Sequence, residues 1–520
     1  MAAVAAGARA LVFIGFMGAG KSRAAAEAAA ALGVQALDSD QLLEQRFGRT
    51  VAEEFAARGE QAFRAAEEEL VCGLLERAAP DAVIALGGGA VLSARVQQAL
   101  AAHVTVLLDV DFDTAWERVR PASPAKRRPL ASDPQAFAAL HASRRELYER
   151  LADAFLPAVG SKVALRALPA LRMLALAPAG TRLLWASAAS GEYPVFIGHG
   201  LLESEVWPLD RSHSRCFCVS DERVAELHAG RLQSIQHLIA IPAGEQNKTL
   251  HSAERVWRGL VAAGMTRADH VVGLGGGVVG DLAGFCAAAY QRGVPIVQVP
   301  TTLMAQVDSA YGGKTGVDLP DGKNFVGLYH QPAGVVVDPD TLATLPAPEL
   351  AAGYVEVLKT ALIAGGELWQ RVAAGEPVDE RMILACARTK LAVVEEDERD
   401  AGRRQVLNLG HTVGHAIETT TGYSRYRHGE AVGLGLLAAL RLSGLEALRE
   451  QVRELLLAHG LPVELQGAGT EEILAATTRD KKRVGAHVPF VLVRAPGAVD
   501  IGCEVSETEL RASVAELAGT

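Results

Sequence analysis

The chain has 520 residues, which at roughly 150 residues per domain points to about three folding units. Apolar types make up 49% of it and charged types 22%, so disorder, collagen, coiled coil and low-complexity protein are excluded. The net charge of -10 is uneven: residues 1–180 carry 20 basic and 20 acidic side chains, and residues 181–520 carry 31 and 41. A chain with its excess acid in the larger part is not expected to take nucleic acid as a main partner, because phosphate backbones are held by basic surfaces. The six cysteines show no zinc-finger or disulfide spacing and fit a reducing, cytoplasmic setting. The apolar run Leu11–Ile14 ends in a glycine loop with a lysine rather than a cleavage site, and no stretch of ~18 uncharged apolar residues follows, so neither a signal peptide nor a membrane partner is expected.

In chain order, residues 1–165 alternate short apolar runs (Leu11–Ile14, Val83–Leu86, Val104–Leu108) with Ala/Glu/Arg-rich helical stretches such as Glu53–Arg77, the pattern of βαβ units around a parallel sheet. Residues 166–180 are rich in Ala, Leu and Pro and read as a linker. Strand and helix alternate again over 181–345, with Val271–Leu274 and Ile296–Val299 as buried strands, and residues 346–520 read as almost wholly helical. The expected fold is therefore α/β: a P-loop domain with a parallel sheet, a Rossmann-like nucleotide-binding domain and a helical, metal-binding domain.

Gly15-Phe-Met-Gly18-Ala-Gly20-Lys21-Ser22 fits G-x4-G-K-[ST] between a strand and the helix Arg23–Leu32. In that motif backbone N–H groups converge on phosphate oxygens, the lysine neutralises charge and the hydroxyl reaches Mg²⁺. No guanine-recognition or transporter signature accompanies it. Asp38-Ser-Asp40, Gly59-Glu60, Phe63-Arg64 and Gly87-Gly88-Gly89 follow instead. An aspartate can orient a substrate hydroxyl and accept its proton, an arginine can hold a carboxylate in bidentate fashion, and bare glycine backbone lets a ring approach closely.

In this order after a P-loop, these residues resemble shikimate kinase over residues 10 to about 158. The resemblance implies that Asp40, Arg64, Gly87, Gly88, Gly89 and Arg144 form the shikimate site. It makes Gly18, Gly20, Lys21 and Ser22 the ATP cradle, with Ser22 and Asp38 on the magnesium side. It also makes Arg118 a nucleotide contact and Arg128 a lid arginine on the transferred phosphate. Two departures stand out: Arg23 follows Ser22 where family members often have Thr, and the segment between Arg118 and Arg128 is longer than usual.

In the second part, Val271–Asp281 reads as a strand, a glycine turn and a helix, which suits a pyrophosphate at the helix N-terminus around Gly277. Thr301-Thr302, Glu245 and Lys248 add hydrogen-bonding groups, and Asp221 can take ribose hydroxyls. His411 and His415 have i, i+4 spacing and so share a helix face; with His428 and Glu356 they make a set typical of an open zinc site, although spacing does not choose which three bind. Asp308, Lys314, Lys323-Asn324, Lys359, Arg404, Asn408 and Lys481-Lys482 imply an anionic substrate.

The string Gly244-Glu245, Gly275–Asp281, Thr301-Thr302, Val307-Asp-Ser309, Gly312-Gly-Lys314-Thr315, Gly322-Lys-Asn324, Asn408-Leu-Gly-His411 and His428-Gly-Glu430 resembles 3-dehydroquinate synthase from about Tyr193 to Leu510. The resemblance implies NAD⁺ and Zn²⁺ (or Co²⁺), with Glu356, His411 and His428 on the metal and His415 acting on substrate. Asp308, Lys314, Lys323, Asn324, Lys359, Arg404, Asn408 and a lysine of the 481–482 pair would bind substrate. Asp221, Glu245, Lys248, Gly277, Asp281, Thr301, Thr302, Lys314, Lys323 and Thr344 would line the cofactor site. A homodimer through this half is implied, with Arg292 reaching across the interface. Asp400 stands where the family usually has Glu. The alternatives are a metal-dependent alcohol or glycerol dehydrogenase for the second part, a gluconate or nucleotide kinase for the first, and a regulatory scaffold that binds without catalysis. Because the motifs do not interleave, a cut within 166–180 is expected to leave both activities intact.

Overall fold

The computed structural model describes residues 9–120, 133–158, 160, 162–477 and 488–519. Arg128, Lys481 and Lys482 lie outside the described residues. The chain divides into two compact units, one of Met1–Trp185 with Pro194–Trp207 and one of Ala186–Tyr193 with Pro208–Thr520.

In the first unit, strand β1 (Leu11–Ile14) feeds helix α1 (Lys21–Leu32), and β2 (Ala36–Asp38) feeds α2 (Ser39–Phe47). Helix α3 (Val51–Glu76) opens with a capping box between Thr50 and Glu53 and kinks at Gly59, where φ is 79°, a value that glycine adopts without steric cost. Strand β3 (Val83–Ala85), α4 (Ala94–Leu100), β4 (Val104–Asp109), α5 (Phe112–Val119), α6 (Pro134–Leu151) and β5 (Ala154–Pro157) follow. The strands pair in parallel in the order β2-β3-β1-β4-β5. Every residue of β1 and β3 is buried, as expected for a parallel sheet covered on both faces.

The expected linker is in part a helix. Residues Val163–Leu174 form α7, with Val163, Ala164, Ala167, Leu168, Ala170, Leu171 and Leu174 buried, and it packs on α1. The composition is that of an amphipathic helix, and Pro169 inside it is what made the segment look open. Strand β6 (Arg182–Ala188) continues the first sheet, pairing Leu183 and Leu184 with Ala154 and Phe155 of β5. A cut within 166–174 therefore severs a packed helix rather than a tether.

In the second unit, β7 (Gly191–Ile197) starts at a turn whose first residues cluster here. Then come β8 (Cys216–Asp221), α8 (Glu222–His228), β9 (Ile235–Ile241), α9 (Leu250–Ala262), β10 (His270–Gly275), α10 (Gly277–Ala289) and β11 (Ile296–Pro300). A π-helical turn spans Ala305–Ser309, a hairpin joins β12 (Lys314–Leu319) to β13 (Gly322–Tyr329), and β14 is Gly334–Val337. The parallel order β14-β11-β10-β8-β9 covers a core in which Phe217, Val271, Leu282, Phe285 and Ile296 are buried.

Helices α11 (Ala347–Ala364), α12 (Gly366–Ala373), α13 (Glu380–Glu396), α14 (His411–Thr420), α15 (His428–Leu442), α16 (Glu446–Ala458) and α17 (Thr470–Thr477) come next. The all-helical expectation for 346–520 needs one correction: β15 (Phe490–Ala495) and β16 (Ala498–Cys503) form an antiparallel hairpin before α18 (Glu507–Leu517). Its turn uses Gly497 at φ 88°, and an apolar run such as Phe490–Val493 does not separate strand from buried helix by periodicity. No helix among the described residues is long and apolar enough to cross a membrane.

If α7 is part of the first unit, Leu171→Ala, which deletes a fully buried side chain, should lower the stability of that unit by about 2–5 kcal/mol in denaturant unfolding. Leu176→Ala, at a residue 59% exposed, should change it by less than about 0.5 kcal/mol. An open linker would make both substitutions neutral.

Candidate active sites

The P-loop closes tightly because its glycines take conformations a side chain would block. Gly18 has φ 86°, and a Cβ there would meet Ala115 O and Val119 Cγ2 at 2.9 Å. Lys21 Nζ donates to Gly15 O at 3.0 Å and Phe16 O at 3.2 Å, which holds the ammonium over the loop. Ser22 is exposed on the first turn of α1. Arg118, on the last turn of α5, donates to Gly18 O at 3.1 Å and Ala158 O at 2.9 Å, so it braces the loop as well as flanking it.

The acceptor residues meet around the glycine triplet. A Cβ on Gly87 would overlap the Asp40 carboxylate, one on Gly89 would overlap the Arg64 guanidinium, and Gly88 lies against the P-loop backbone at Gly15 and Met17. Bare backbone is what allows these groups to share one place. Asp38 caps α2 by accepting from the N–H groups of Asp40 at 3.0 Å and Gln41 at 3.2 Å, which sets the position of Asp40. Ser39 Oγ accepts from Gly87 N at 2.8 Å, and Tyr148 Oη donates to Gly88 O at 2.6 Å.

Two partners here escaped sequence reasoning. Glu67 is buried and pairs with Arg64 at 2.6 Å; burial pushes its carboxyl up, against the pull of Arg64. Burial also pushes the Tyr148 hydroxyl up to about 12, against the influence of the buried Arg144 beside it. Glu67 stands three residues after Arg64 on α3, a spacing that could have flagged it.

In the second unit the turn after β10 brings Gly276 against Thr302 and Gly277 against Ser309. Thr301 Oγ1 is buried with no hydrogen-bond partner among the described residues. Lys248 Nζ bonds the Asp281 carboxylate and, at 2.6 Å, Asn324 Oδ1. Burial opposes its charge, but Asp281 and Glu245 outweigh that and hold it above the usual lysine range. Lys323 bridges Glu418 at 3.1 Å and Glu245 at 3.6 Å. Asp221 caps α8 through Val224 N at 2.9 Å, and Thr344 Oγ1 bonds His228 Nε2 at 2.9 Å. Arg292 does not join this group. It is exposed just beyond the far end of the 13-residue α10 from Gly277, about 20 Å along the helix axis.

Glu356, His411 and His428 converge. His411 Nε2 and His428 Nε2 stand 3.8 and 3.7 Å from Glu356 Oε1, and that buried oxygen accepts no hydrogen bond among the described residues. Three ligands at about 2.0–2.2 Å from one tetrahedral ion would be separated by about 3.4 Å, so this donor set fits zinc. The second ring nitrogens are already engaged: His411 Nδ1 faces Leu409 O at 3.1 Å and His428 Nδ1 faces Glu418 Oε2 at 3.4 Å. Such outer contacts aim Nε2 inward. The His415 ring lies 5.3 Å from that of His411 and 6.0 Å from that of His428, and with Glu418 and His428 it forms a second candidate set. Glu418 is buried; burial raises its carboxyl, yet His428, Lys323 and His415 bring it down to about 2.

Beside Glu356 Oε1 lies a buried charge cluster. Lys359 contacts Glu356 Oε2 and stands 3.5 Å from Asp308; Lys390, on α13, bonds the Asp308 carboxylate and, at 2.6 Å, its carbonyl. Burial favours a neutral Asp308, but Lys359 and Lys390 hold it well below the usual carboxylate range. The same burial lowers Lys390 despite Asp308, whereas Lys359 is held above its usual value because Asp308 and Glu356 outweigh desolvation. Arg404 is buried, and its guanidinium donates to the carbonyls of Glu398 and, at 3.0 Å, Gly312. Lys314 pairs with Asp400, so the shorter carboxylate does reach, from a backbone at φ 63°. Asn408 closes the 3-10 turn Arg403–Asn408 that leads into α14. Lys390 and Glu418 were missed by sequence reasoning. Glu418 falls three and seven residues after His415 and His411, on one helix face, which was a readable signal.

A P-loop beside an acceptor pocket defines a kinase, and a carboxylate-imidazole metal site beside a glycine cradle and buried cations defines a metal- and nucleotide-dependent enzyme. Family models match for 3-dehydroquinate synthase, N-terminal part over residues 238–352 and C-terminal part over 353–483, and for shikimate kinase over 17–171. The 3-dehydroquinate synthase of Desulforamulus reducens is 41% identical over 350 residues, covering 62% of this chain and 97% of the relative. That of Halorhodospira halophila is 41% identical over 356 residues, covering 64% and 99%. Among solved structures, 2-epi-5-epi-valiolone synthase of Streptomyces hygroscopicus subsp. jinggangensis, with NAD⁺ and Zn²⁺ bound, is 25% identical with a TM-score of 0.58, covering 64% of this chain and 99% of that one. The chain belongs to the 3-dehydroquinate synthase family and carries a shikimate kinase domain ahead of it. It is an enzyme with two activities, a kinase and a phosphate-releasing lyase.

The ligand assignment is open to direct measurement. Glu356→Ala and His411→Ala should each abolish stoichiometric zinc in metal analysis, whereas His415→Ala should keep zinc with affinity lowered by no more than about 10–100-fold. Zinc that requires His415 but not Glu356 would put the ion in the second set.

Proposed function

We propose that residues 1–165 phosphorylate shikimate from ATP and that the second unit converts 3-deoxy-D-arabino-heptulosonate 7-phosphate to 3-dehydroquinate with release of phosphate. The observation that carries the second reading is the convergence of Glu356 Oε1 with two imidazole Nε2 atoms beside buried Lys359 and Lys390. A metal-dependent dehydrogenase does not need that lysine and arginine cage. The valiolone synthase that this chain resembles holds NAD⁺ and Zn²⁺, and the glycine turn with orphaned Thr301 Oγ1 suits the same nucleotide here.

In the kinase, Ser22 and Asp38 would hold a magnesium ion, which would supply neutralisation of the charge that develops on the phosphates in transfer. Lys21 and the loop N–H groups hold the phosphates, Arg64 and Arg144 take the shikimate carboxylate, and Asp40 orients the attacking hydroxyl and accepts its proton. In the synthase, Glu356, His411 and His428 would hold zinc, which would supply Lewis-acid polarisation of a substrate hydroxyl, and the glycine turn with Thr301 would hold NAD⁺, which would supply reversible hydride acceptance. Oxidation acidifies the neighbouring C–H, so phosphate leaves by elimination, and reduction and aldol ring closure follow. The chain's own work is to bind the anions with Lys314, Lys323, Asn324, Lys359, Lys390, Arg404 and Asn408, to orient the substrate through Asp308, and to move a proton at His415. We further place the enzyme in the cytoplasm, as a homodimer through its second half without nucleic-acid or membrane partners. The distance of Arg292 from its own glycine turn supports a reach toward a second copy.

Lys21→Ala and Asp40→Ala should each lower shikimate kinase kcat by about 10²–10⁴-fold. Arg64→Ala should mainly raise the KM for shikimate, by about 10–100-fold for a charge-assisted pair of roughly 1.5–3 kcal/mol. Equal ATP turnover without shikimate, or preference for another acceptor, would sink the kinase assignment. In the synthase reaction, phosphate should accumulate with no net NADH by absorbance; one NADH per turnover would favour the dehydrogenase.

A further inference from the structure

We propose that the turn between β6 and β7, through Ser190 and Tyr193, is a positioning device for Arg404, and that its integrity sets how tightly the synthase holds its anionic substrate. The inference rests on the reading that Arg404 faces the substrate. Arg404 is the largest fully buried side chain of the molecule's described residues. Its guanidinium is fixed by two backbone carbonyls rather than a carboxylate: Nη1 donates to Glu398 O, and Nη2 donates to Gly312 O at 3.0 Å. Nε is buried without a hydrogen-bond partner among the described residues. A buried cation that is not neutralised is costly unless a ligand supplies the negative charge. Its direction is therefore set by whatever holds the two carbonyls.

Both residues are held from this segment, Glu398 through its carboxylate by Ser190 in the turn and Gly312 through its N–H by Tyr193 in β7. The Glu398 carboxylate accepts from Ser190 N at 2.9 Å, from Ser190 Oγ, and from Gln331 Nε2 at 2.9 Å. On the other side, Gly312 N donates to Tyr193 Oη at 3.2 Å, and Tyr193 is fully buried. A Cβ on Gly312 would run into Arg404 Nη2 at 2.6 Å, so the carbonyl and guanidinium have one workable arrangement. Asp397 tightens the loop from within, accepting from Gly402 N at 2.7 Å and Arg404 N at 3.0 Å. Charge-assisted and buried bonds of this kind are the ones whose loss is felt. Ser190 and Tyr193 precede the stretch matched by the synthase family model, which begins at residue 238. They belong to the segment Ala186–Tyr193, which clusters with the second unit while the chain on either side of it clusters with the first.

The test uses the full chain loaded with zinc and NAD⁺. Ser190→Ala and Tyr193→Phe should each raise the KM for the heptulosonate phosphate by about 5–10-fold, with kcat within about twofold and zinc content and shikimate kinase kcat unchanged, since one buried hydrogen bond is lost. Ser190→Thr, which keeps a hydroxyl, should recover most of the affinity. The effects should vanish in an Arg404→Lys background, because residues acting through one group are not additive. Unchanged KM in folded variants, or the same KM rise with Arg404 already replaced, would overturn the proposal. So would a parallel fall of kcat, zinc content and thermal stability, which marks a merely structural role. Absence of wild-type synthase turnover would overturn the functional reading beneath it.

Discussion

Desolvated charge dominates the larger unit. Among the described residues, Lys359 and Lys390 are buried against Asp308 and Glu356, and Arg404 is buried on backbone carbonyls; burying an ion costs several kcal/mol unless it is paired. The protein accepts that cost on a scaffold that brings the groups together from separate elements: Asp308 on the π-helical turn, Lys359 and Glu356 one turn apart on α11, and Lys390 on α13. A π turn inserts an extra residue and re-aims side chains, which is why such turns gather at functional sites. On the function proposed above, a metal ion on Glu356 Oε1 and an anionic substrate on the cations would complete the arrangement.

Glycine serves the two sites in the same physical way. At Gly87 to Gly89 the absence of Cβ atoms lets Asp40, Arg64 and the P-loop backbone share a space that any side chain would fill, and at Gly276 and Gly277 it lets Thr302 and Ser309 approach the start of α10. In both, a helix N-terminus lies next to open backbone, so partial positive charge is presented to phosphate without a side chain in the way. The chemistry differs because of what surrounds the cradle: an aspartate and an arginine in one, a metal site and lysines in the other.

Much of this was legible in the sequence, because motif residues are local. The P-loop, the i, i+4 histidines and the glycine turns carry their geometry in a few consecutive positions. Residues that act from a distance were not legible. Lys390 looks like one more helix cation beside Arg381 and Arg388 on α13 until Asp308 is seen against it, and Glu398 gains meaning only from a turn some two hundred residues earlier in the chain. The segment around Pro169 misled because proline and alanine suggest an open tether, whereas tertiary burial of Leu168, Leu171 and Leu174 made it a helix. The hairpin β15–β16 was hidden because periodicity does not separate strand from buried helix in such an apolar run. Among the four metal candidates, spacing left the choice open; the structure groups Glu356, His411 and His428 as one candidate set and His415, Glu418 and His428 as another.

On the proposed function, the second unit uses a temporary oxidation to release phosphate and then undoes it. The most direct measurement supplies substrate deuterated at the carbon that is oxidised and follows the label by NMR in the full chain with unlabelled NAD⁺. Retention of deuterium at that carbon in the product, with none appearing in the free nicotinamide pool, is the predicted result. Label found in released NADH, or replaced by protium in the product, would contradict the account.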